Sequence, residues 1–159
     1  RLAESLFWQL STFGGGKFGD IKNVVSNIES VFQRAGIPKD SGYKIADGSG
    51  LSLYNYITPQ MLNALLVYAW WQQDIRAHLI PALPVGGVDG TLKKRFHGTT
   101  AYNNIFAKTG TVSGISSLSG YANGGNGHVI SFCIINQGVQ RGSMGRDFQD
   151  QVCIALTEK

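Results

Sequence analysis

Residues 104–136, NIFAKTGTVSGISSLSGYANGGNGHVISFCIIN, carry the pattern that decides the fold. Three strands are expected within this stretch, at residues 104–110, 116–122 and 128–136, set apart by turns rich in glycine, serine and asparagine. The last, HVISFCIIN, is almost wholly apolar and β-branched, as a central strand should be. Asn123-Gly124-Gly125-Asn126-Gly127 joins the second strand to the third and is a strong hairpin signal, because glycine and asparagine reach left-handed backbone angles at little cost. The stretch reads as an antiparallel meander.

Outward from the meander the apolar period changes from two to that of a helix. Leu2, Leu6, Phe7, Leu10 and Phe13 fall on one helical face, and the run stops at Gly14-Gly15-Gly16. Asp20 reads as the N-cap of a second helix whose inward stripe is Ile21, Val24, Val25, Ile28, Val31 and Phe32, ended by Gly36 and Pro38. Thr58-Pro59 is a cap followed by proline at the first helical position, leading into Met61, Leu62, Leu65, Leu66 and Ala69. A glycine-rich turn at residues 47–50 interrupts these helices, and a segment punctuated by Pro81 and Pro84 follows them. On the far side of the meander a closing helix is expected at about 143–157, with Met144, Phe148, Val152 and Leu156 spaced by four. The fold class is therefore α+β, an antiparallel sheet of at least three strands packed with helices.

Composition sets the outer bounds. Of 159 residues, 43% are hydrophobic and 15% charged, which suits a globular chain with a core and makes one compact unit the expectation. The net charge is +4, but the basic residues are scattered, and Lys93-Lys94-Arg95 reads as the solvated face of a short helix. Without an RNA-binding aromatic signature or zinc-finger spacing, nucleic acid is not expected as a partner. Cys133 and Cys153 lie in apolar patterns and read as separate buried thiols. No apolar stretch is long enough to span a bilayer, since Trp70-Trp71 runs straight into Gln72-Gln73-Asp74. The chain opens at Arg1 without an initiator methionine or a basic-then-apolar leader, so a longer polypeptide is expected upstream.

The chemistry centres on Lys108-Thr109-Gly110-Thr111 at the end of the first strand. Alone, three common residue types are also what a strand ending in a turn with an exposed lysine would show. The surroundings add weight: Phe106-Ala107 before it, Gly114 and Ser117-Leu118-Ser119-Gly120-Tyr121 after it, and upstream Asp47-Gly48-Ser49-Gly50-Leu51-Ser52 and the block from Leu83 to Leu92, LPVGGVDGTL. In that order, these blocks resemble the D-Ala-D-Ala carboxypeptidase/endopeptidase family of the low-molecular-weight penicillin-binding proteins. Leu2-Ala3-Glu4-Ser5-Leu6 likewise resembles the helix that follows that family's Ser-x-Asn motif. The resemblance spans residues 1 to about 137. It implies that residues 1–159 form the C-terminal portion of a penicillin-binding, β-lactamase/transpeptidase-like domain, with the nucleophile on a missing N-terminal part of the same protein.

The resemblance also implies site roles. Lys108 and Thr111 are the expected catalytic residues, Thr111 through its amide as one oxyanion donor, and Thr109 and Gly110 the expected substrate-binding ones. A sheet-edge strand can accept a peptide as one more strand, with Gly110 leaving room while Thr109 and Lys108 offer a hydroxyl and a cation to a terminal carboxylate. Ser49 and Leu53 are further expected substrate-binding positions. Leu53 stands where the family commonly has arginine, which argues against a diaminopimelate-type side chain. The expected partners are peptidoglycan stem peptides and β-lactam antibiotics, the expected compartment is extracytoplasmic, and no cofactor is implied.

Other candidates read as structural. Ser41-Gly42-Tyr43-Lys44 has the letters of a Ser-x-x-Lys nucleophile motif, but it follows Pro38 and leads into a glycine turn, where a helix start is not expected. Tyr102-x-Asn104 and Tyr121-x-Asn123 flank the Lys-Thr-Gly strand and read as coincidence. Asp47 and Asp89 read as stabilisers of glycine turns. His78, His97 and His128 are isolated, without metal-ligand spacing. The competing functions are a β-lactamase, which shares the Lys-Thr-Gly strand, and a non-catalytic peptidoglycan-binding module.

Overall fold

The computed structural model describes residues 1–158, which divide into two units, Arg1–Leu65 and a second beginning at Leu66. In the first, α1 (Leu2–Gln9) continues into a 3-10 turn over Leu10–Gly15, and α2 (Ile21–Arg34) follows. Asp20 caps α2: its carboxylate accepts from the Lys22 amide at 3.0 Å and the Asn23 amide at 3.4 Å, which satisfies donors left over by the first turn. Asparagines on α2 hold the 3-10 turn, Asn23 Nδ2 donating to the Ser11 carbonyl at 2.6 Å and Asn27 Nδ2 to the Leu10 carbonyl at 2.9 Å. Phe32, Ile37 and Met61 form the core of this unit, with Ile28, Tyr43, Ile45 and Leu65 packed on it. Thr58 caps α3 (Pro59–Trp71), its hydroxyl accepting from the Met61 amide at 3.2 Å. Of the stripe read on the first helix, Phe7 is buried while Leu2, Leu6 and Phe13 are exposed. The 8-residue α1 is tied down by a polar contact through Glu4, described below, rather than by its whole apolar face.

In the second unit, α4 (Gln73–Ala82) is a helix the sequence pattern does not announce. None of its residues is buried, so it has no apolar period to read, and Pro81 falls in its last turn, just before the chain leaves the helix at Leu83. The sheet then forms from β1 (Ile105–Val112), β2 (Ile115–Asn123) and β3 (Val129–Gln137), antiparallel and in the order β1-β2-β3. These bounds lie close to the expected ones. Among the described residues, however, β2 rather than the apolar 128–136 segment lies in the middle. The run of apolar residues in β3 reflects partial burial on both faces, Ile130, Phe132 and Ile134 on one and Cys133 and Ile135 on the other.

The closing helix, α5 (Gly142–Thr157), is present, but with a different face inward. Met144 and Phe148 are 57% and 54% exposed, and the buried stripe is Gly145, Gln149, Cys153 and Thr157. The helix approaches the sheet through small and polar residues: a Cβ on Gly145 would stand 2.8 Å from the Ser116 Cβ. Leu156 of the expected stripe does pack against the core, so apolar spacing by four lies one position off the buried face and loses Met144 and Phe148 to solvent. The Lys93-Lys94-Arg95 run also departs from expectation, because Arg95 is only 9% exposed and its guanidinium meets Asp150 Oδ1 at 2.6 Å. A buried arginine is retained when paired in this way.

The face that carries α5 holds the core of Leu92, Phe96, Ile105, Ala107, Leu118, Ala122, Phe132 and Cys153. On the opposite face, Tyr121 is buried beside Trp70, its hydroxyl donating to the Leu66 carbonyl at 2.8 Å. That fixed role answers for the Tyr121-x-Asn123 letters. Gly120 has no room for a side chain, since a Cβ there would lie 2.1 Å from the Phe106 carbonyl oxygen and 2.6 Å from the Ala107 Cα. Gly120→Ala is therefore expected to destabilise the protein by about 1–3 kcal/mol, as overpacking does, read as a lower urea midpoint at unchanged slope.

Candidate active site

Backbone groups along a strand point alternately to its two sides, and this period locates the free hydrogen-bonding groups of β1. On the side away from β2, the Ile105 carbonyl accepts from the Gly86 amide at 2.8 Å and the Ala107 amide donates to the Pro84 carbonyl at 3.0 Å. Val85 forms a single antiparallel bridge with Phe106. The segment Pro84–Gly86 thus covers the outer edge of β1 over Ile105–Ala107 and goes no further. By the same alternation, the N–H and C=O groups of Thr109 and Thr111 point to this outer edge, where no described strand pairs with them and the Thr109 carbonyl accepts from Lys108 Nζ of its own strand.

The side chains follow the opposite logic. Lys108 and Gly110 share one face of the sheet with Ser119 and Ser117, their register partners on β2, and Lys108 is exposed. Thr109 and Thr111 share the α5 face, where Thr109 Oγ1 donates to Thr91 Oγ1 at 3.0 Å and Thr111 is exposed. A Cβ on Gly110 would stand 2.4 Å from Ser117 Oγ. Rotation of the Ser117 hydroxyl would relieve that contact, so the space at Gly110 is bounded on this side by one movable atom. Thr91 and Ser117 were not singled out from the sequence; the two-residue strand period plus the register of a hairpin would have found Ser117.

The Asp47–Asn55 loop lies in the first unit. Burial would raise the Asp47 carboxyl, but hydrogen bonds from Asn55 Nδ2, the Ser49 hydroxyl and the Gly50 and Ser52 amides outweigh it and hold the group below its usual range. Glu4 Oε2 accepts from the Gly48 and Ser49 amides at 2.9 and 3.0 Å while its Oε1 accepts from Trp8 Nε1, so one carboxylate fastens this turn to α1. The pairing crosses 44 residues of sequence, which is why a local reading missed it. Ser49 spends its hydroxyl proton on Asp47 Oδ2 at 2.8 Å, whereas Leu53 is 77% exposed and makes no such commitment. Asp89 plays the expected turn role, accepting from the Val85 amide at 2.7 Å.

The remaining candidates stand aside. Gly42 has a φ of 68° and Lys44 bridges to Tyr56, so Ser41 and Lys44 do not share a helical face. The Ser41 hydroxyl instead donates to the Pro38 carbonyl at 2.7 Å. Burial pushes the Cys133 thiol up to about 11 and the Cys153 thiol to about 12, so neither is a thiolate near neutral pH. His78, His97 and His128 are exposed, and no cluster of metal-ligating side chains occurs among the described residues.

Known proteins share this sequence and fold. A model of the D-Ala-D-Ala carboxypeptidase 3 (S13) family matches residues 1–159. The chain is 34% identical to penicillin-sensitive carboxypeptidase A of Dictyostelium discoideum, over 98% of this chain and 31% of that protein. It is 40% identical to a D-alanyl-D-alanine carboxypeptidase of Actinomadura sp. (strain R39), over 74% of this chain and 22% of the relative. Its structure matches penicillin binding protein 4 of Haemophilus influenzae, complexed with a novel beta-lactam, with a TM-score of 0.82 and 26% identity, covering 99% of this chain and 38% of the other. The chain thus spans less than two-fifths of each of these proteins.

Asp47 makes a pH-dependent contribution to stability. A carboxyl held low in the folded state stabilises above its unfolded value of about 3.9, and this is lost as pH falls through the lower folded value. Asp47→Ala is therefore expected to lower the melting temperature at pH 7, with the gap from wild type narrowing as pH drops below about 4. Iodoacetamide at pH 7.5 should leave both native thiols unmodified, which intact mass checks.

Proposed function

The chain belongs to the D-Ala-D-Ala carboxypeptidase 3 (S13) family, and on that premise we propose that it is the C-terminal portion of a serine-type D-alanyl-D-alanine carboxypeptidase or endopeptidase acting on peptidoglycan stem peptides. The observation that carries this reading is the half-open edge of β1. A peptide lying extended along it adds a strand, its backbone pairing with the N–H and C=O groups of Thr109 and Thr111. Lys108 then supplies a cation, and Thr109 a hydroxyl, for the carboxylate that marks the end of a stem peptide. Covering by Pro84–Gly86 stops the added strand at Ala107, so the peptide has a fixed end along the edge.

The reaction proposed is acyl transfer. A serine hydroxyl, borne by polypeptide other than these 159 residues, attacks the carbonyl of the penultimate D-alanine and loses its proton to a neighbouring base. The carbonyl oxygen becomes an oxyanion facing the Thr111 amide, a donor of a kind worth about 3–4 kcal/mol in serine hydrolases. Collapse expels the terminal D-alanine as its amine, which takes up a proton, and water then frees the acyl group from serine. A β-lactam enters by the same attack, the strained ring amide standing in for the scissile peptide. Stem peptides of this kind lie outside the cytoplasmic membrane, and that is the compartment proposed; no helix among the described residues is long and apolar enough to cross a membrane.

A fluorescent penicillin is expected to label the intact protein on a serine outside residues 1–159, located by peptide mapping. Label on Ser41 or Ser49 would overturn the assignment. Lys108→Ala in the intact protein is expected to slow acylation by roughly ten- to a hundredfold, the scale of one hydrogen bond to a charged group. Unchanged acylation kinetics would remove Lys108 from the site.

A further inference from the structure

The sheet is supported unevenly along its length. At the Ile105 end, β1 is clamped on its outer edge by Pro84–Gly86 and rests on the apolar core. At the Thr111 end both supports are missing: the outer edge is open, and the α5 face carries Thr111, Ser116 and Asn136, which are register partners across the three strands. Under Ser116 and Asn136 lies Gln149 of α5, fully buried. Its Nε2 donates to Ser116 Oγ at 3.0 Å and to Asn136 Oδ1 at 3.1 Å, and its Oε1 accepts from Arg95 Nη2 at 3.3 Å. Arg95 is itself held by Asp150, through Nε at 2.8 Å, and by the Arg146 carbonyl. Ser116 is 1% exposed and is wedged between Gly145 and Gln149, one helical turn apart. The Val139 amide also donates to the Gly114 carbonyl at 3.2 Å.

We propose that Gln149 is a positioning residue for the Thr111 amide, acting through Ser116. Thr111 is held laterally through the ladder bonds of its neighbours Gly110 and Val112 to β2, and at this level the side-chain hydrogen bond from α5 to β2 comes from the Gln149 carboxamide. Hydrogen bonds are directional where apolar packing is not, so Gln149 sets where the Thr111 N–H stands and not merely whether the sheet forms. The proposal rests on the reading of Thr111 as an oxyanion donor. It predicts an effect confined to the transition state, because an oxyanion donor does its work there and not in the preceding binding step.

The test compares Gln149→Met, which keeps the side-chain volume but loses the carboxamide, with Cys153→Ala, one turn along the same buried face. Both are made in the intact protein and assayed where each is fully folded. In Gln149→Met the rate constant for acylation by a fluorescent penicillin at saturation is expected to fall at least tenfold, with the preceding binding constant unchanged and Cys153→Ala slowed less than threefold. Equal slowing in the two variants, or less than threefold slowing in Gln149→Met, overturns the proposal. Should the wild-type protein take no label, the carboxypeptidase reading fails, and hydrogen exchange decides this proposal separately. Exchange at the Val112 and Ser117 amides is then expected to rise at least tenfold in Gln149→Met while Phe106 and Tyr121 hold; uniform acceleration, or none, overturns it. If Gln149→Met does not fold, Ser116→Ala removes the same hydrogen bond and is read by the same criteria.

Discussion

An antiparallel sheet must end in edges, and the outer edge of β1 is the constraint around which the second unit is arranged. The protein closes that edge for as long as Pro84–Gly86 runs beside Ile105–Ala107 and then leaves it open. The covering segment depends on glycine: a Cβ on Gly86 would stand 2.8 Å from the Phe96 ring, and Gly87 has a φ of 76°. Where the cover ends, Lys108 begins. An exposed lysine on a strand edge deters indiscriminate pairing with other chains, so the residue proposed to bind a carboxylate also guards the edge against peptides lacking one.

The two ends of the sheet differ in what holds them. Buried apolar surface contributes roughly 25 cal/mol per Å² without regard to direction, and it secures the end that only has to stay folded. The network of Arg95, Gln149, Ser116 and Asn136 secures the end proposed to meet substrate. Each bond in such a network contributes a modest net amount, about 0.5–1.5 kcal/mol, but leaving one partner buried and unmatched costs more than that. A network of this kind therefore tolerates few alternative arrangements. The ion pair of Arg95 with Asp150 belongs to the same logic, since it orients the guanidinium that Gln149 accepts from.

Much of this architecture was legible because the signals are local. Asp20 and Thr58 each announce a helix within a few residues, and the strands declare themselves through their turns, so element type and bounds came out close to the structure. The family resemblance rested on short blocks in a fixed order, and it agrees with the family that matches residues 1–159. What was not legible depends on partners distant in sequence. Nothing near Arg95 indicates that Asp150 will bury it, nothing near Glu4 indicates the Gly48 amide, and α4 buries no residue that would give it a period. The face of α5 was misread for a related reason. Spacing by four recurs on every side of a helix, and the choice among the sides is made by how closely the sheet approaches, which here requires Gly145.

Gly120 is the glycine whose place the fold dictates, and Gly110 is the one the proposed chemistry uses. From the sequence, Gly110 is assigned to the approach of a substrate backbone, and within the protein the near neighbour of a Cβ there would be Ser117 Oγ at 2.4 Å, a side-chain atom that can rotate away. Gly120, packed against the Phe106 carbonyl and the Ala107 Cα, fixes the register of β1 on β2, because a slip of one residue would drive a side chain into that space. Register in turn decides which backbone groups face outward. A slip would turn Thr109 and Thr111 toward β2 and present Lys108 and Gly110 to the open edge in their place. In the observed alignment Gly110 is open to the proposed approach of a substrate backbone, and the open edge sets where that backbone would lie. That alignment matters to the proposed chemistry because it leaves the Thr109 and Thr111 backbone groups without a strand partner, the Thr109 carbonyl meeting the Lys108 ammonium of its own strand.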